Sequence, residues 1–395
     1  MKLLMTTALS AALLAVPAAA DSPVRLGILL GFTGPVESLM PDIAASAELA
    51  MREATESGLF LGGRAIEAVR ADSTCTDAAA AASAAQRLID SEGVTAIVGA
   101  DCSGVTTSVV SNVTVPAGVV AISPSATTPA LTTAADNNLF FRTAPSDARQ
   151  GEVLADAVMA RGIGEVALTY TNNDYGAGLM QSFTDAYQAL GGRVLLAAAH
   201  EDGKADYSAE VAALAATGAQ HLVVFGYVDQ GGAGIIRAAL DTGAFGSFIM
   251  ADGMLADQLG ERFGSEIDGS FGTTPGSDDA LSQSFEALAA AAGITGTGPY
   301  RGEAYDAAAL LILAMQAAGS AERSAITAQV LNVANAPGEP IGPGEIAKGL
   351  EILAAGGDID WQGATGVELT PEGDAAGTYK EMTFEGGARR FLALH

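Results

Sequence analysis

Apolar and polar positions along this chain switch repeatedly between two periods. Short apolar runs end in Gly-, Ser- or Asp-rich turns and give way to stretches with apolar residues at three-to-four spacing. Residues 24–31 (VRLGILLG) read as a strand, Phe32-Thr33-Gly34-Pro35 as a turn, and 43–55 as a helix. Residues 65–72 alternate like a strand. Residues 76–89 are Ala-rich, with Leu88 and Ile89 marking an inner helical face. Residues 95–99, 103–112 and 118–123 continue the order strand, helix, strand. This alternation predicts βαβ units and a mainly parallel sheet.

A second series follows Arg142-Thr143-Ala144-Pro145, with helices predicted at 147–160, 175–190, 207–216 and 230–240. Strands are predicted at 165–171, 194–199, 220–226 and 247–251. A third block, 278–356, is chiefly helical (281–292, 305–318, 323–333, 345–355) and has too few strands to stand alone. It is expected to fold back onto the first series. Residues 335–344 are Pro/Gly-rich and read as an exposed loop. The expected architecture is α/β: two doubly wound parallel-sheet lobes joined by a multi-strand hinge, with a ligand cleft between them. Residues 21–143 and 272–372 form one lobe, and 144–271 and 373–395 the other. Ligands of such sheets bind outside the carboxyl ends of strands.

The first twenty residues are set apart. Lys2, the uncharged apolar run 3–16, Pro17 and Ala18-Ala19-Ala20 have the order of a secretory signal peptide cut between Ala20 and Asp21, which implies export to the periplasm. The run is shorter than the ~20 apolar residues that span a bilayer. The chain carries a formal net charge of −27, one unit more negative once Lys2 is removed, and such a surface repels nucleic acid. Only three histidines are present (His200, His221, His395), far apart in sequence, and the cysteines form no CxxC pair, so neither a metal site nor a cofactor is expected. In an exported chain, Cys75 and Cys102 read as one disulfide contributing roughly 3–4 kcal/mol, with two buried thiols as the alternative.

Candidate chemistry lies at the predicted strand ends. Gly99-Ala100-Asp101-Cys102-Ser103-Gly104 closes a strand and opens a helix; Ser103 reads as its N-cap, and the amides beyond it suit a carboxylate. Pro124-Ser125-Ala126-Thr127 follows the next strand in the same way. Tyr175 and Tyr227 stand at matching ends in the second series, each a broad ring with a polar tip. Asp252 ends a further strand, placed either to pair with an ammonium group or to cap the following turn. A G-x-S-x-G elbow, a P-loop and a complete dinucleotide fingerprint are all lacking, so the chain does not read as an enzyme.

Across nearly the whole chain, the motifs LGILLGFTGPV, ADSTCTD, GADCSGVTTSVV, AISPSATTPALT, FFRTAPSD, NNDYGAGL, FGYVDQGG and GGDIDWQGATGVELTPEGD resemble the periplasmic leucine/isoleucine/valine-binding proteins of ABC transporters, which have the type I periplasmic binding fold. The resemblance implies the Cys75–Cys102 disulfide. It implies ligand carboxylate and ammonium contacts at Ser103, Ser125 and Thr127, lid tyrosines at Tyr175 and Tyr227, an ammonium-binding acid at Asp252, and a side-chain pocket at Leu39 and Tyr300. Three positions depart from the family pattern: Asp252 where glutamate is commoner, Leu39 where an aromatic is usual, and a serine at 125 where the backbone often makes the contact. The implied protein is a monomeric solute-binding component that is not embedded in the membrane, capturing an aliphatic amino acid for an inner-membrane ABC permease. The alternatives are an amide, urea-like or carboxylic acid ligand, a sensory rather than transport role, or an exported hydrolase.

Overall fold

A computed structural model of the protein describes residues 22–395, so the expected signal peptide and its expected cleavage point lie outside the described residues. The first sheet contains β1 (Val24–Leu30), β2 (Ile66–Asp72), β3 (Ala96–Gly99), β4 (Ala121–Ser123) and β5 (Phe140–Pro145). The second contains β6 (Glu165–Thr171), β7 (Arg193–His200), β8 (Leu222–Phe225), β9 (Phe248–Met250) and β10 (Phe271–Pro275). Within each sheet these strands run parallel and in the same winding, β2-β1-β3-β4-β5 in one and β7-β6-β8-β9-β10 in the other. The direction of winding therefore reverses between β1 and β3, and again between β6 and β8. At such a reversal, neighbouring connections leave on opposite sides and open a crevice at the strands' carboxyl ends.

The third block does return to the first sheet. Its central helix, Arg301–Ala318, packs against β3, β4, β5 and the helix Met40–Ser57. Leu310, Leu311, Ile312 and Leu313 are fully buried, so apolar contact surrounds the helix, each such side chain contributing about 1.5–3 kcal/mol on burial. The helix stops at Gly319, whose left-handed φ of 61° lets its N–H reach Gln316 O. Among the described residues, no single helix is long and apolar enough to cross a membrane.

Seven strands were not foreseen from periodicity: β5 and β10, and five more that follow. The 335–344 segment is not simply a loop: β11 (Glu339–Ile341) pairs in parallel with β12 (Ile359–Trp361). β13 (Asp374–Ala375) joins the edge of the first sheet, while β14 (Tyr379–Glu385) and β15 (Ala388–Leu394) extend the second in antiparallel fashion. β5 runs to Pro145, β10 to Pro275 and β13 to Ala375, so the passages between sheets fall a few residues beyond 143, 271 and 372. The linking segments are ends of paired strands, which hold their sheet until the last hydrogen bond.

Two of these passages are clamped together. Arg142 on β5 is fully buried, and its Nε and Nη2 donate to the two carboxylate oxygens of Asp374 on β13, at 2.7 and 2.9 Å. Its Nη1 donates to Ala126 O and Thr128 O, and Nη2 also reaches Thr132 Oγ1, so every N–H of the guanidinium is engaged. Arg142→Met strands Asp374 and two carbonyls and is expected to cost about 3–5 kcal/mol in urea unfolding. Adding Asp374→Leu to that variant should recover part of the loss.

Candidate functional site

The crevices of the two sheets face one another. A small cavity of about 40 Å³ lies between them, lined by Leu39 after β1, Asp101 and Ser103 after β3, and Ser125 after β4. The opposite wall carries Tyr175 after β6, Tyr227 after β8 and Asp252 after β9, with Tyr300 at its edge. Seven of the eight residues expected to bind ligand thus line one cavity. Thr127 does not line it but stands immediately behind, buried, its N–H donating to Ser103 Oγ at 3.2 Å.

Local backbone geometry brings the carboxyl end of β3 close to β1. Gly99 has φ 129°, and a Cβ there would run into Leu29 O, so a side chain is excluded by the backbone of the neighbouring strand. The Cys75–Cys102 disulfide ties the loop after β2 to the start of the helix Ser103–Val109. Cys102, not Ser103, is the N-cap residue of this helix. Ser103 begins the first turn, and its hydroxyl accepts the N–H groups of Thr127 and Thr128 at 3.2 and 3.1 Å. One serine therefore joins the loops after β3 and β4. Ser125 Oγ donates to Asp101 O at 3.1 Å and strengthens the same join.

The opposite wall is aromatic and acidic. Tyr175 and Tyr227 stack with ring centroids 5.3 Å apart, and Asn173 Nδ2 donates to the Tyr227 hydroxyl at 3.2 Å. Asp252 is 3% exposed. Its carboxylate accepts the Tyr175 hydroxyl at 3.2 Å and the Tyr300 hydroxyl at 2.6 Å. Burial raises its pKa from the ordinary value, partly opposed by the hydroxyls that bond it. Gly253 is needed beside it, because a Cβ there would meet Gly226 O at 2.6 Å and the Tyr175 hydroxyl at 3.1 Å. Tyr300 adopts a left-handed backbone (φ 68°), a conformation costing about 1–3 kcal/mol in a non-glycine residue. The strain accompanies a hydroxyl that reaches across to an acid of the other sheet.

Periodicity alone did not single out Val36, Met40, Asp101 and Gly253, which also line the cavity. Asp101 sits inside the strand-end segment read as an anion cradle, yet its carboxylate is directed at the scaffold, accepting Gly31 N at 2.9 Å and Ser73 Oγ at 2.5 Å. Val36 and Met40 flank Leu39 and make that end of the cavity apolar. The halves are drawn close by Ser38 N donating to Asp229 Oδ2 at 2.9 Å, Asp229 N to Pro35 O at 3.1 Å and Arg389 Nη2 to Thr297 Oγ1 at 2.8 Å. In this arrangement the cavity is too small for an amino acid to enter unless the two walls part.

The site therefore has two unlike ends. One offers hydroxyls and the positive end of a short helix; the other offers a buried carboxylate under stacked rings. Residues 23–349 match the family model for periplasmic binding proteins. The chain is similar to the chemotactic signal transduction system substrate-binding protein BasB of Halobacterium salinarum, 29% identical over 89% of this chain and 84% of that protein. It is likewise similar to the Leu/Ile/Val-binding protein homolog 3 of Brucella melitensis, 28% identical over 91% and 94% of the two chains. In three dimensions it resembles the branched-chain amino acid transporter substrate-binding protein LivJ of Streptococcus pneumoniae, solved with isoleucine. There the TM-score is 0.77 at 22% identity, covering 94% of this chain and 99% of that one.

Ser103→Ala leaves the Thr127 and Thr128 amides without their buried acceptor. A loss of about 1–3 kcal/mol is expected in denaturant unfolding, with the first sheet's crevice loosened.

Proposed function

We propose, for a chain that belongs to the periplasmic binding protein family, that the cleft captures a free aliphatic α-amino acid and presents the closed form to an inner-membrane ABC permease. The observation that carries this reading is Asp252, a carboxylate buried at 3% exposure whose side-chain partners are two tyrosine hydroxyls. A dry carboxylate is stabilised far more by a cation than by neutral donors. Across the cavity, the first turn from Ser103 and the hydroxyls of Ser103 and Ser125 suit an anion. A zwitterion with its ammonium at Asp252 and its carboxylate at Ser103 satisfies both ends at once.

The sequence of events follows from where these groups sit. In the parted state, the first wall holds the carboxylate at Ser103 and Ser125, with Thr127 bracing Ser103 from behind. Closure brings Tyr175, Tyr227 and Asp252 over the ligand, and the expelled water no longer competes for the polar contacts. An aliphatic side chain then lies against Leu39 and Tyr300 and contributes roughly 1.5–3 kcal/mol through burial. Aspartate is one methylene shorter than glutamate, so it relies on the Tyr175 and Tyr300 hydroxyls to fix its direction. Ligand binding in this scheme shifts the population toward the closed form, the species a permease recognises.

The leader at residues 1–20 would deliver the mature chain to the periplasm. The lobes are proposed to follow the sheets, the first carrying the helical block and the second the two C-terminal strands. A second reading has the closed form docking on a membrane-bound sensory receptor, and the chemotactic relative in Halobacterium salinarum favours it. Both readings share the same binding step.

Calorimetry with leucine, isoleucine and valine should register binding, whereas the 2-oxo acid of leucine, which lacks the ammonium, should bind much more weakly. Asp252→Asn should weaken leucine binding roughly 10- to 100-fold, the worth of one charge-assisted hydrogen bond of about 1.5–3 kcal/mol. Unchanged leucine affinity in that variant would remove the ammonium role.

A further inference from the structure

Leu39 and Tyr300, the two residues placed against the ligand's side chain, each stand at the end of a short segment on the rim of the cleft. Leu39 follows the turn at 35–38. Tyr300 closes the loop that joins the helix Ala280–Ala291 to the helix Arg301–Ala318. The two segments are pressed together. A Cβ on Gly298 would lie 3.3 Å from Leu39 Cδ2, and one on Gly296 would overlap an Asp42 carboxylate oxygen in the first turn of the helix Met40–Ser57. Turn and loop therefore form one lip over the apolar end of the cavity. Neither Leu39 nor Tyr300 is displaced outward without moving it.

The second half of the molecule grips this lip at both segments. Asp229, two residues beyond Tyr227, accepts Ser38 N at 2.9 Å through its carboxylate and donates its own N–H to Pro35 O at 3.1 Å. Gln258 Nε2 reaches Ser38 O at 3.5 Å. On the other segment, the Thr297 hydroxyl donates to Asp257, and Arg389 Nη2 donates to Thr297 Oγ1 at 2.8 Å. Asp257 and Gln258 open the helix Asp257–Phe263, so one helix start serves both segments. Arg389 is itself fixed to its own half, with Nε donating to Asp257 Oδ1 and Nη1 to Leu255 O, each at 2.7 Å. None of these four residues of the second half lines the cavity. Their bonds to the lip cross from one half to the other, so they are made on closure and lost when the walls part.

We propose that Asp229, Thr297 and the start of the helix Asp257–Phe263 form a clasp that reads the size of the ligand's side chain without touching it. The inference rests on the amino-acid reading above and assigns the choice among amino acids to the rim. A side chain that fits beneath Leu39 and Tyr300 lets the lip settle and the clasp form. A bulkier one lifts the lip, and hydrogen bonds weaken steeply once distance and angle are lost. The head-group contacts at Ser103 and Asp252 are the same for both ligands, so they do not discriminate. Clasp bonds form after the ligand has entered, so their worth is read in the dissociation rate. Asp229 and Thr297 are thus positioning residues that act through Leu39 and Tyr300.

The test compares leucine with phenylalanine on the intact mature protein, by calorimetry, by displacement of leucine and by stopped-flow fluorescence. The wild-type protein is expected to prefer leucine. Asp229→Ala removes the acceptor of Ser38 N and should weaken leucine binding about 3- to 10-fold, through faster dissociation with little change in association. Phenylalanine binding should weaken less, so the preference narrows. Thr297→Ala should do the same from the other segment. Asp229→Asn keeps an oxygen for Ser38 N and should restore most of the loss. Urea unfolding of the ligand-free variants should match the wild type, because the parted form does not make these bonds. Unchanged leucine dissociation in both alanine variants overturns the proposal, as does an equal loss for the two amino acids or an equivalent loss of ligand-free stability. A wild-type protein that holds phenylalanine as tightly as leucine overturns it without any variant having to fold. Absence of binding with every amino acid defeats the amino-acid reading and takes this inference with it, an outcome distinct from leucine binding that ignores the clasp.

Discussion

Asp252 is a carboxylate withdrawn from water at the end of a strand, and much of the surrounding architecture deals with that cost. Its partners come from both halves of the molecule: Tyr175 opens a helix of the second sheet's wrap, and Tyr300 precedes the buried helix returned to the first. The acid thus has both hydroxyl partners only when the two crevices face one another. A carboxylate this dry contributes little to stability by itself, since desolvation can offset what its hydrogen bonds return. Its value lies in what it selects.

The scaffold makes that selection possible through repetition. The same winding order occurs twice, so each sheet has one reversal, and each reversal presents strand ends and helix starts to the other. Residues far apart in sequence meet without long excursions, each only a few residues past the end of its strand. Close backbone approach of Gly99 to Leu29 and of Gly253 to Gly226 packs the strand ends tightly within each wall, where the hydroxyls and a carboxylate line one small cavity.

Much of this was legible in the chain. Parallel strands buried on both faces and Ala-rich helices leave strong periodic marks, and elements such as β6 and the helix Asp147–Ala160 have the bounds their patterns imply. Strand ends followed by Ser, Thr, Tyr or Asp pointed to the cavity, and the family resemblance narrowed them to particular residues. What was not legible has physical causes. β11 and β13 are too short for period-two alternation, and β5, β10 and β14 carry mixed sequences because they join the two halves. Ser103 looked like a cap, but whether its hydroxyl serves its own helix or the neighbouring loop depends on a tertiary contact.

The bidentate grip of Arg142 on Asp374 bears on how such a molecule can move. It welds two of the connecting segments side by side at the edge of one sheet, with the guanidinium fully buried. Segments bound in this way cannot twist independently, so they work as a single axle, with rotation left to the few residues beyond each strand's last bond. Swinging about that line leaves the ion pair intact, because Arg142 and Asp374 both belong to the first sheet. A jaw built on one axle brings the same residues together each time it shuts, and so fidelity in recognition begins at a salt bridge that never touches the guest.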